Sequence, residues 1–159
     1  MTSVATRRAG PADADALAGL DAASFDAPWD ASSIGALLAG ELTIGWRRDA
    51  GCQLVAAALV RCVAGEAELL RLAVHPAHRR HGHGRALLAT ILEELGPGLP
   101  HGLHLEVRAS NAAARSLYHS LGFALIGTRP AYYVAPVEDA VLMRWNPATR
   151  PSDATLHHL

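Results

Sequence analysis

The chain has 159 residues, with 14 Lys or Arg and 15 Asp or Glu, and its formal net charge at pH 7 is −1. Such a balance gives no general attraction to nucleic acid or to an anionic membrane, so we expect neither as a partner. No apolar stretch approaches the roughly 18 residues of a membrane span, and the first residues lack the apolar core of a signal peptide; we therefore expect a cytoplasmic protein.

The first part of the chain predicts a strand, two helices and an antiparallel pair of strands. Pro11 suits the first turn of a helix, Asp30 is a favourable residue before a second helix, and Gly40 is a favourable residue after it. Alternation and turn residues predict the strands. The predicted elements are a strand at 4–8, a helix from Pro11 that ends before Ser24, a helix from 31 to Gly40, and strands at 42–47 and 53–63 joined by a turn at 49–51.

A strand, a glycine loop and a helix follow at the centre of the chain. The run 69–74 has the length and apolar character of a strand, Pro76 cannot continue a ladder, and leucines recur at helical spacing after residue 85. Gly82 and Gly84 therefore lie where the helix starts. Backbone N–H groups at such a position, together with the positive end of the helix dipole, form an anion site.

The charges around this loop favour a pyrophosphate over a single carboxylate, because Arg79, Arg80 and Arg85 add three full positive charges. A glycine pair before a helix can also be no more than a tight connection. The spacing distinguishes among the known phosphate loops. A nucleotide triphosphatase loop needs a Lys followed by Ser or Thr, and both are missing here.

A dinucleotide fingerprint is matched at Gly82 and Gly84 but has Leu87 at its third glycine. The pattern Arg-x-x-Gly-x-Gly is complete at Arg79, Gly82 and Gly84. This pattern resembles the coenzyme A loop of the GNAT superfamily of N-acetyltransferases.

The last part of the chain predicts a strand, a helix and a hairpin. The strand lies at 103–107, the helix at 111–121, and the hairpin strands at 123–128 and 140–145, joined through Tyr132-Tyr133. A strand, helix, strand order implies a parallel pair. We therefore predict an α/β (α+β) fold whose mixed, mostly antiparallel central sheet contains one splayed parallel pair and carries flanking helices.

Two motifs in this part make the resemblance more specific. The runs Glu-Val-Arg-x-x-Asn at 106–111 and Leu-Tyr-x-x-Leu-Gly-Phe at 117–123, together with 24–29 and 129–133, are similar to the RimI type of ribosomal-protein N-terminal acetyltransferase. The resemblance implies the GNAT fold. We expect one domain over residues 1–146 and a disordered tail over 147–159.

The resemblance also implies acetyl-CoA as the co-substrate and a role for each matching residue. Glu106 would be the base that deprotonates the acceptor amine, and Tyr118, with a reference pKa of about 10, would return a proton to the coenzyme thiolate. The strands ending near Val74 and Glu106 would splay to admit the coenzyme. The implied coenzyme-binding residues are Leu72, Ala73, Val74, Arg79, Arg80, His81, Gly82, His83, Gly84, Arg85, Asn111 and Tyr118.

The implied acceptor is the N-terminal α-amine of a protein, with a ribosomal protein as the substrate and direct transfer in a ternary complex. Aromatic residues would form opposite lips of the acceptor groove, and an aromatic-rimmed groove suits an extended peptide. The implied acceptor-binding residues are Phe25, Asp26, Trp29, Tyr132 and Tyr133.

Several alternatives stay open at this point. Glu106 could be a solvated carboxylate and Tyr118 a half-buried helix residue. The acceptor could be a lysine or a small amine, and the chain could bind an acyl-CoA without catalysing a reaction. Metal binding by His78, His81 and His83 is disfavoured because no nearby Cys or carboxylate completes a tetrahedral site, and we expect no metal.

Overall fold

The computed structural model describes residues 2–147, so the predicted disordered tail lies outside the described residues except for Pro147. Within this range seven strands form a mixed sheet in the order β1-β2-β3-β4-β5-β7-β6 once numbered along the chain. The strands are β1 (Val4–Ala9), β2 (Thr43–Ala50), β3 (Gln53–Val63), β4 (Glu66–Val74), β5 (Leu103–Arg108), β6 (Ala124–Val134) and β7 (Val137–Trp145). The helices are α1 (Ala14–Ser24), α2 (Ala31–Ala39), α3 (His83–Leu95) and α4 (Ala112–Ser120).

The chain divides into two compact units. Of the described residues, the first unit comprises 2–63 and Leu69–Leu92, and the second comprises Ala64–Glu68 and 93–147. The expectation of one domain over residues 1–146 stays a prediction. No helix of the described chain is long and apolar enough to cross a membrane.

In the first unit, β2 and β3 form the predicted antiparallel pair, and β1 pairs antiparallel with β2. The structure corrects the length of β2, which continues to Ala50 rather than ending at 47, so that Asp49 pairs with Leu54 across the hairpin. The predicted turn at 49–51 is therefore shorter. Gly51 makes it possible because its φ of 61° lies in the left-handed region that side chains disfavour.

Helix α2 begins where Asp30 predicts, whereas α1 begins at Ala14 rather than at Pro11, because Pro11–Asp13 form a separate 3-10 turn. The Asp30 carboxylate accepts a hydrogen bond from the Ser33 N–H at 2.7 Å, which satisfies a donor that the first turn of α2 cannot pair internally. Both helices bury one face in a shared apolar cluster, against which Phe25 and Trp29 also pack. The buried members of this cluster are Ala14, Leu17, Leu20, Ile34, Leu38, Ala57, Leu59 and Ala73.

In the second unit, the start of β4 pairs in parallel with β5, at Ala67 with Leu103 and at Glu68 with His104. Strand β5 then pairs antiparallel with β7, and β7 with β6. The single parallel pair of the described sheet was predicted from the strand, helix, strand order. Its splay stays a prediction.

The structure corrects the hairpin formed by β6 and β7. Strand β6 continues to Val134, so Tyr132 and Tyr133 lie within it instead of joining two shorter strands. The register shifts between Arg129 and Tyr133, where Ala131 takes a φ of 50°. The chain thus accommodates proline in a bulge, which removes the need for a ladder hydrogen bond at that point.

Candidate functional site

The glycine loop of the first unit has the open backbone that an anion site needs. Gly82 has a φ of 79°, and a Cβ placed on it would meet no atom within 4 Å. Helix α3 begins directly afterwards at His83, and its first intrahelical bond runs from the Ala86 N–H to the Gly82 carbonyl at 3.0 Å. The space in front of Gly82 therefore adjoins the positive end of a 13-residue helix, an arrangement that fits a pyrophosphate.

Arg79 fastens this loop to the end of β4. Its Nε donates to the Val74 carbonyl at 3.2 Å, and its Nη2 donates to the Ser24 carbonyl at 3.4 Å. The Ser24 hydroxyl donates to the same Val74 carbonyl at 3.4 Å. Because the Val74 carbonyl already accepts these two hydrogen bonds, it is less available to a ligand at the end of β4. Arg80, His81 and Arg85 are exposed around the loop.

One histidine of the loop, His83, does not add a full charge to it. The His83 Nδ1 accepts a hydrogen bond from the Arg48 Nε at 3.1 Å. Burial lowers the pKa of His83 below its ordinary value, and the charge of Arg48 lowers it further. The imidazole is therefore neutral at pH 7. Within residues 2–147, no group of three or more His, Cys, Asp or Glu side chains could hold a metal ion.

The segment 25–29 of the first unit packs around the side chain of Arg71, which was not identified as a site residue from the sequence. The Arg71 guanidinium lies 3.9 Å from the centre of the Phe25 ring and 4.8 Å from that of Trp29. The structure thus brings two of the predicted acceptor residues together. Asp26, the third, is exposed.

Arg71 is held by Asp21, which was also missed. The two side chains form an ion pair of 2.8 Å, with the Asp21 side chain only 3% exposed. A signal was available in the sequence, because Asp21 lies four residues after Leu17 and therefore on the apolar face of α1. A charge at such a position calls for a buried partner.

In the second unit, Glu106 lies in β5 beside a cation and a phenol. The Arg129 Nε is 3.3 Å from a Glu106 carboxylate oxygen, and the Glu106 side chain is 19% exposed. The Tyr132 hydroxyl donates to the same carboxylate, which raises the pKa of Tyr132. Two predicted site residues, Glu106 and Tyr132, are thus in contact. Arg129 was not identified as a site residue from the sequence.

Tyr133 points to a different partner. Its ring lies 4.2 Å from the Arg108 guanidinium, which is also ion-paired with Glu138 at 3.3 Å. Burial raises the pKa of Tyr133, and the negative charge of Glu106 raises it further. The two adjacent tyrosines meet edge to face, with ring centres 5.1 Å apart. Together they form a continuous aromatic surface.

Asn111 and Tyr118 stand at the two ends of α4. The Asn111 side-chain carbonyl accepts the Ala114 N–H at 3.1 Å and so caps the helix, which leaves its amide N–H groups for a ligand. Tyr118 is buried against Phe123, with ring centres 5.6 Å apart. Burial raises the pKa of Tyr118 to about 12, which corrects the value of about 10 assumed from the sequence.

Comparison with known proteins shows similarity over the part of the chain that contains most of these features. The family model of the acetyltransferase (GNAT) domain matches residues 41–125. The ribosomal protein bS18-alanine N-acetyltransferase of Escherichia coli (strain K12) is 40% identical over 118 residues, which are 73% of this chain and 79% of that protein. N-alpha-acetyltransferase RimI of Mycobacterium tuberculosis is 36% identical over 139 residues, which are 84% of this chain and 86% of that protein. The chain spans 38% of the length of a further relative, an uncharacterized protein of Mycobacterium leprae.

Solved structures agree with the sequence comparison. The crystal structure of the ribosomal-protein-S18-alanine N-acetyltransferase from Escherichia coli has a TM-score of 0.83 at 34% identity, covering 89% of this chain and 92% of that chain. Arabidopsis thaliana NAA60 in complex with acetyl-CoA has a TM-score of 0.79 at 18% identity, covering 90% of this chain and 98% of that chain. At 18% identity, the similarity to NAA60 concerns the fold alone. The predicted fold class is confirmed.

Proposed function

Because the chain belongs to the GNAT family of acetyltransferases, we propose that it transfers the acetyl group of acetyl-CoA to the N-terminal α-amine of a protein. The observation that carries this proposal is the family match over residues 41–125. That range contains the glycine loop as well as Glu106, Asn111 and Tyr118. The two named relatives, which are similar over most of their own length, favour an α-amine as the acceptor.

The coenzyme pyrophosphate binds to the glycine loop, where Gly82 leaves open space next to the start of α3. Arg79, Arg80 and Arg85 supply positive charge, and the residues His81, His83 and Gly84 complete the loop. The backbone of residues 72–74, apart from the already paired Val74 carbonyl, binds the pantetheine arm. The Asn111 amide group binds the coenzyme amides with its N–H groups, because its carbonyl caps α4.

Glu106 removes the proton that prevents the acceptor from reacting. An α-ammonium group has a pKa of about 8 and carries no lone pair until it is deprotonated. Glu106 accepts that proton, directly or through water, and the free amine attacks the thioester carbonyl. The tetrahedral intermediate collapses with cleavage of the C–S bond. The nitrogen loses its second proton, and this proton neutralises the departing coenzyme thiolate.

Tyr118 stabilises this leaving group as a hydrogen-bond donor. Its phenol, with a pKa of about 12, is a weaker acid than a thiol of pKa about 8.5, so complete proton transfer to the thiolate costs about 5 kcal/mol. A hydrogen bond to the developing negative charge carries no such cost and strengthens in the transition state. The buried position of Tyr118 keeps this donor protonated.

The transfer is direct, in a ternary complex of enzyme, coenzyme and acceptor. The two cysteines of the chain, Cys52 and Cys62, lie at the two ends of β3 and outside both motifs that resemble the family. Without a cysteine in those motifs, no thiol is placed to carry the acetyl group as a covalent intermediate.

The acceptor is a peptide end that contacts Phe25, Asp26 and Trp29 with one part and Tyr132 and Tyr133 with another. Aromatic side chains and strand edges suit an extended backbone, whose amides and single ammonium distinguish it from a small amine. By analogy with the bS18-alanine N-acetyltransferase, a ribosomal protein is the proposed substrate. That substrate would place the reaction in the cytoplasm.

A short peptide that starts with Ala and carries an internal Lys tests the choice of amine. We expect acetylation of the α-amine, because a lysine side chain with a pKa of about 10.4 is harder to deprotonate at neutral pH than an α-amine with a pKa of about 8. Tandem mass spectrometry after incubation with acetyl-CoA locates the acetyl group.

The matched control is the same peptide with its N-terminus already acetylated, which leaves only the lysine amine. This control should release no coenzyme thiol above background. Acetylation of its lysine at a comparable rate, or activity on small polyamines alone, would favour a general amine acetyltransferase over our proposal.

Removing the Tyr118 hydroxyl tests its role as a donor. Tyr118→Phe keeps the ring that packs on Phe123, and we expect kcat to fall by about 10²-fold while acetyl-CoA binding is retained. Since the phenol stays protonated up to its pKa of about 12, the pH–rate profile below about pH 10 should keep its shape in the variant. An alkaline limb that disappears with the substitution would contradict this assignment, as would wild-type kcat.

A further inference from the structure

An ion pair outside the residues assigned above ties down the segment 25–29. Asp21 lies on the buried face of α1 and Arg71 in β4, 50 residues later in the chain. The Arg71 Nε and Nη2 donate to the Asp21 carboxylate at 2.8–3.2 Å. With its side chain 3% exposed, Asp21 is removed from water, so this pair must satisfy its own hydrogen bonds.

The pair contacts the segment at three alternate residues. The Asp21 carbonyl accepts the Phe25 N–H at 3.0 Å, the Arg71 Nη2 donates to the Ala27 carbonyl at 3.0 Å, and the Asp21 carboxylate accepts the Trp29 N–H at 2.7 Å. The guanidinium also stacks on the Phe25 and Trp29 rings. Backbone and side chains of the segment are thus fixed by the same two residues.

Arginine suits this position for a specific reason. A guanidinium is planar, so its faces can stack on aromatic rings while its edge donates to a carboxylate and to a carbonyl. A lysine ammonium has neither faces nor a fork. Buried ion pairs contribute little net stability compared with apolar side chains of the same size. The Asp21–Arg71 pair therefore contributes more to the orientation of the segment 25–29 than to the free energy of folding.

We infer that Asp21 and Arg71 are positioning residues, which hold Phe25 and Trp29 in the conformation that receives the acceptor peptide. This inference rests on the proposed function for the identity of the acceptor. Neither residue takes part in the chemistry. Their loss should therefore affect acceptor binding more than turnover, and coenzyme binding not at all.

The variant Arg71→Lys tests the inference, because it keeps the charge and removes the fork and the stacking. We expect KM for an Ala-starting peptide to rise about tenfold, with kcat within about twofold of wild type. The rise in Tm on adding acetyl-CoA should be unchanged. A kcat loss without a change in peptide KM would overturn the inference.

The matched control is Arg47→Lys, in the same unit. Arg47 is also a mostly buried arginine with two acidic partners, Asp13 at 3.0 Å and Asp49 at 2.5 Å. It has no contact with the segment 25–29 among the hydrogen bonds, ion pairs and ring contacts of the described residues. Peptide KM should stay near the wild-type value in this variant; an equal rise in both variants would mean that any lost ion pair has this effect.

A measurement without substrate separates this inference from the proposed function. Asp21→Asn weakens the acceptor of the Trp29 N–H, so hydrogen exchange at that amide should be about tenfold faster than in the wild type. Should Asp21→Asn fail to fold, the same measurement on Arg71→Lys replaces it. Unchanged exchange overturns the inference alone. Failure of the wild type to acetylate any peptide N-terminus contradicts the proposed function and, with it, the acceptor part of the inference, whatever the exchange rate.

Discussion

Replacing Glu106 by Gln is expected to lower kcat by about 10²- to 10⁴-fold. Gln has nearly the same shape and can still accept the hydrogen bond of the Tyr132 hydroxyl, but it cannot take a proton from an α-ammonium group. Acetyl-CoA binding should be unaffected, because Glu106 is outside the glycine loop. Steady-state kinetics with an Ala-starting peptide measure kcat, and the acetyl-CoA-dependent rise in Tm measures binding.

The pH dependence of this variant gives a second, independent readout. An amine with a pKa of about 8 deprotonates in solution as the pH rises from 7 to about 9, so the variant should recover part of its lost activity over that range. A variant that lost activity through a folding defect would not recover it.

Glu138→Gln is the matched control for the base. Glu138 is in the same unit and pairs with an arginine in the same way, through Arg108 at 3.3 Å, but it has no place in the proposed chemistry. We expect kcat within about threefold of wild type for this control. Equal losses in the two variants, or wild-type turnover in Glu106→Gln, would remove Glu106 from the role of base.

Gly82→Asp is expected to abolish the stabilisation of the protein by acetyl-CoA. A ligand at 100 times its Kd stabilises the folded state by about 2.7 kcal/mol, which corresponds to a Tm rise of several degrees for a chain of this size. The aspartate would place a Cβ and a negative charge in the open space at Gly82, and the φ of 79° there disfavours any side chain. Thermal melts with and without acetyl-CoA test this.

Gly98→Asp provides the control for the added charge and carbon. A Cβ at Gly98 would also meet no atom within 4 Å, and Gly98 lies after α3 rather than before it. This variant should keep the full acetyl-CoA-dependent rise in Tm. If Gly82→Asp also responded to acetyl-CoA like the wild type, the pyrophosphate would have to bind elsewhere.

The sequence by itself determined the features that depend on neighbouring residues. Asp30 caps α2 and Asn111 caps α4, because a capping side chain reaches only the first turn of its own helix. Gly82 takes a left-handed backbone, which glycine adopts without steric strain. The motifs around Glu106 and Tyr118 were complete within single short runs, so the family could be identified without knowledge of any long-range contact.

Only the tertiary structure decided which distant side chains meet. Asp21 and Arg71 are 50 residues apart, and neither spacing nor composition could pair them. Arg129 and Tyr132 reach Glu106 because β6 continues past Pro130 through a bulge, against the usual meaning of proline in a strand. The pKa of Tyr118, about 12, depends on how deeply the ring is buried, a property of the packed core rather than of the motif that contains it.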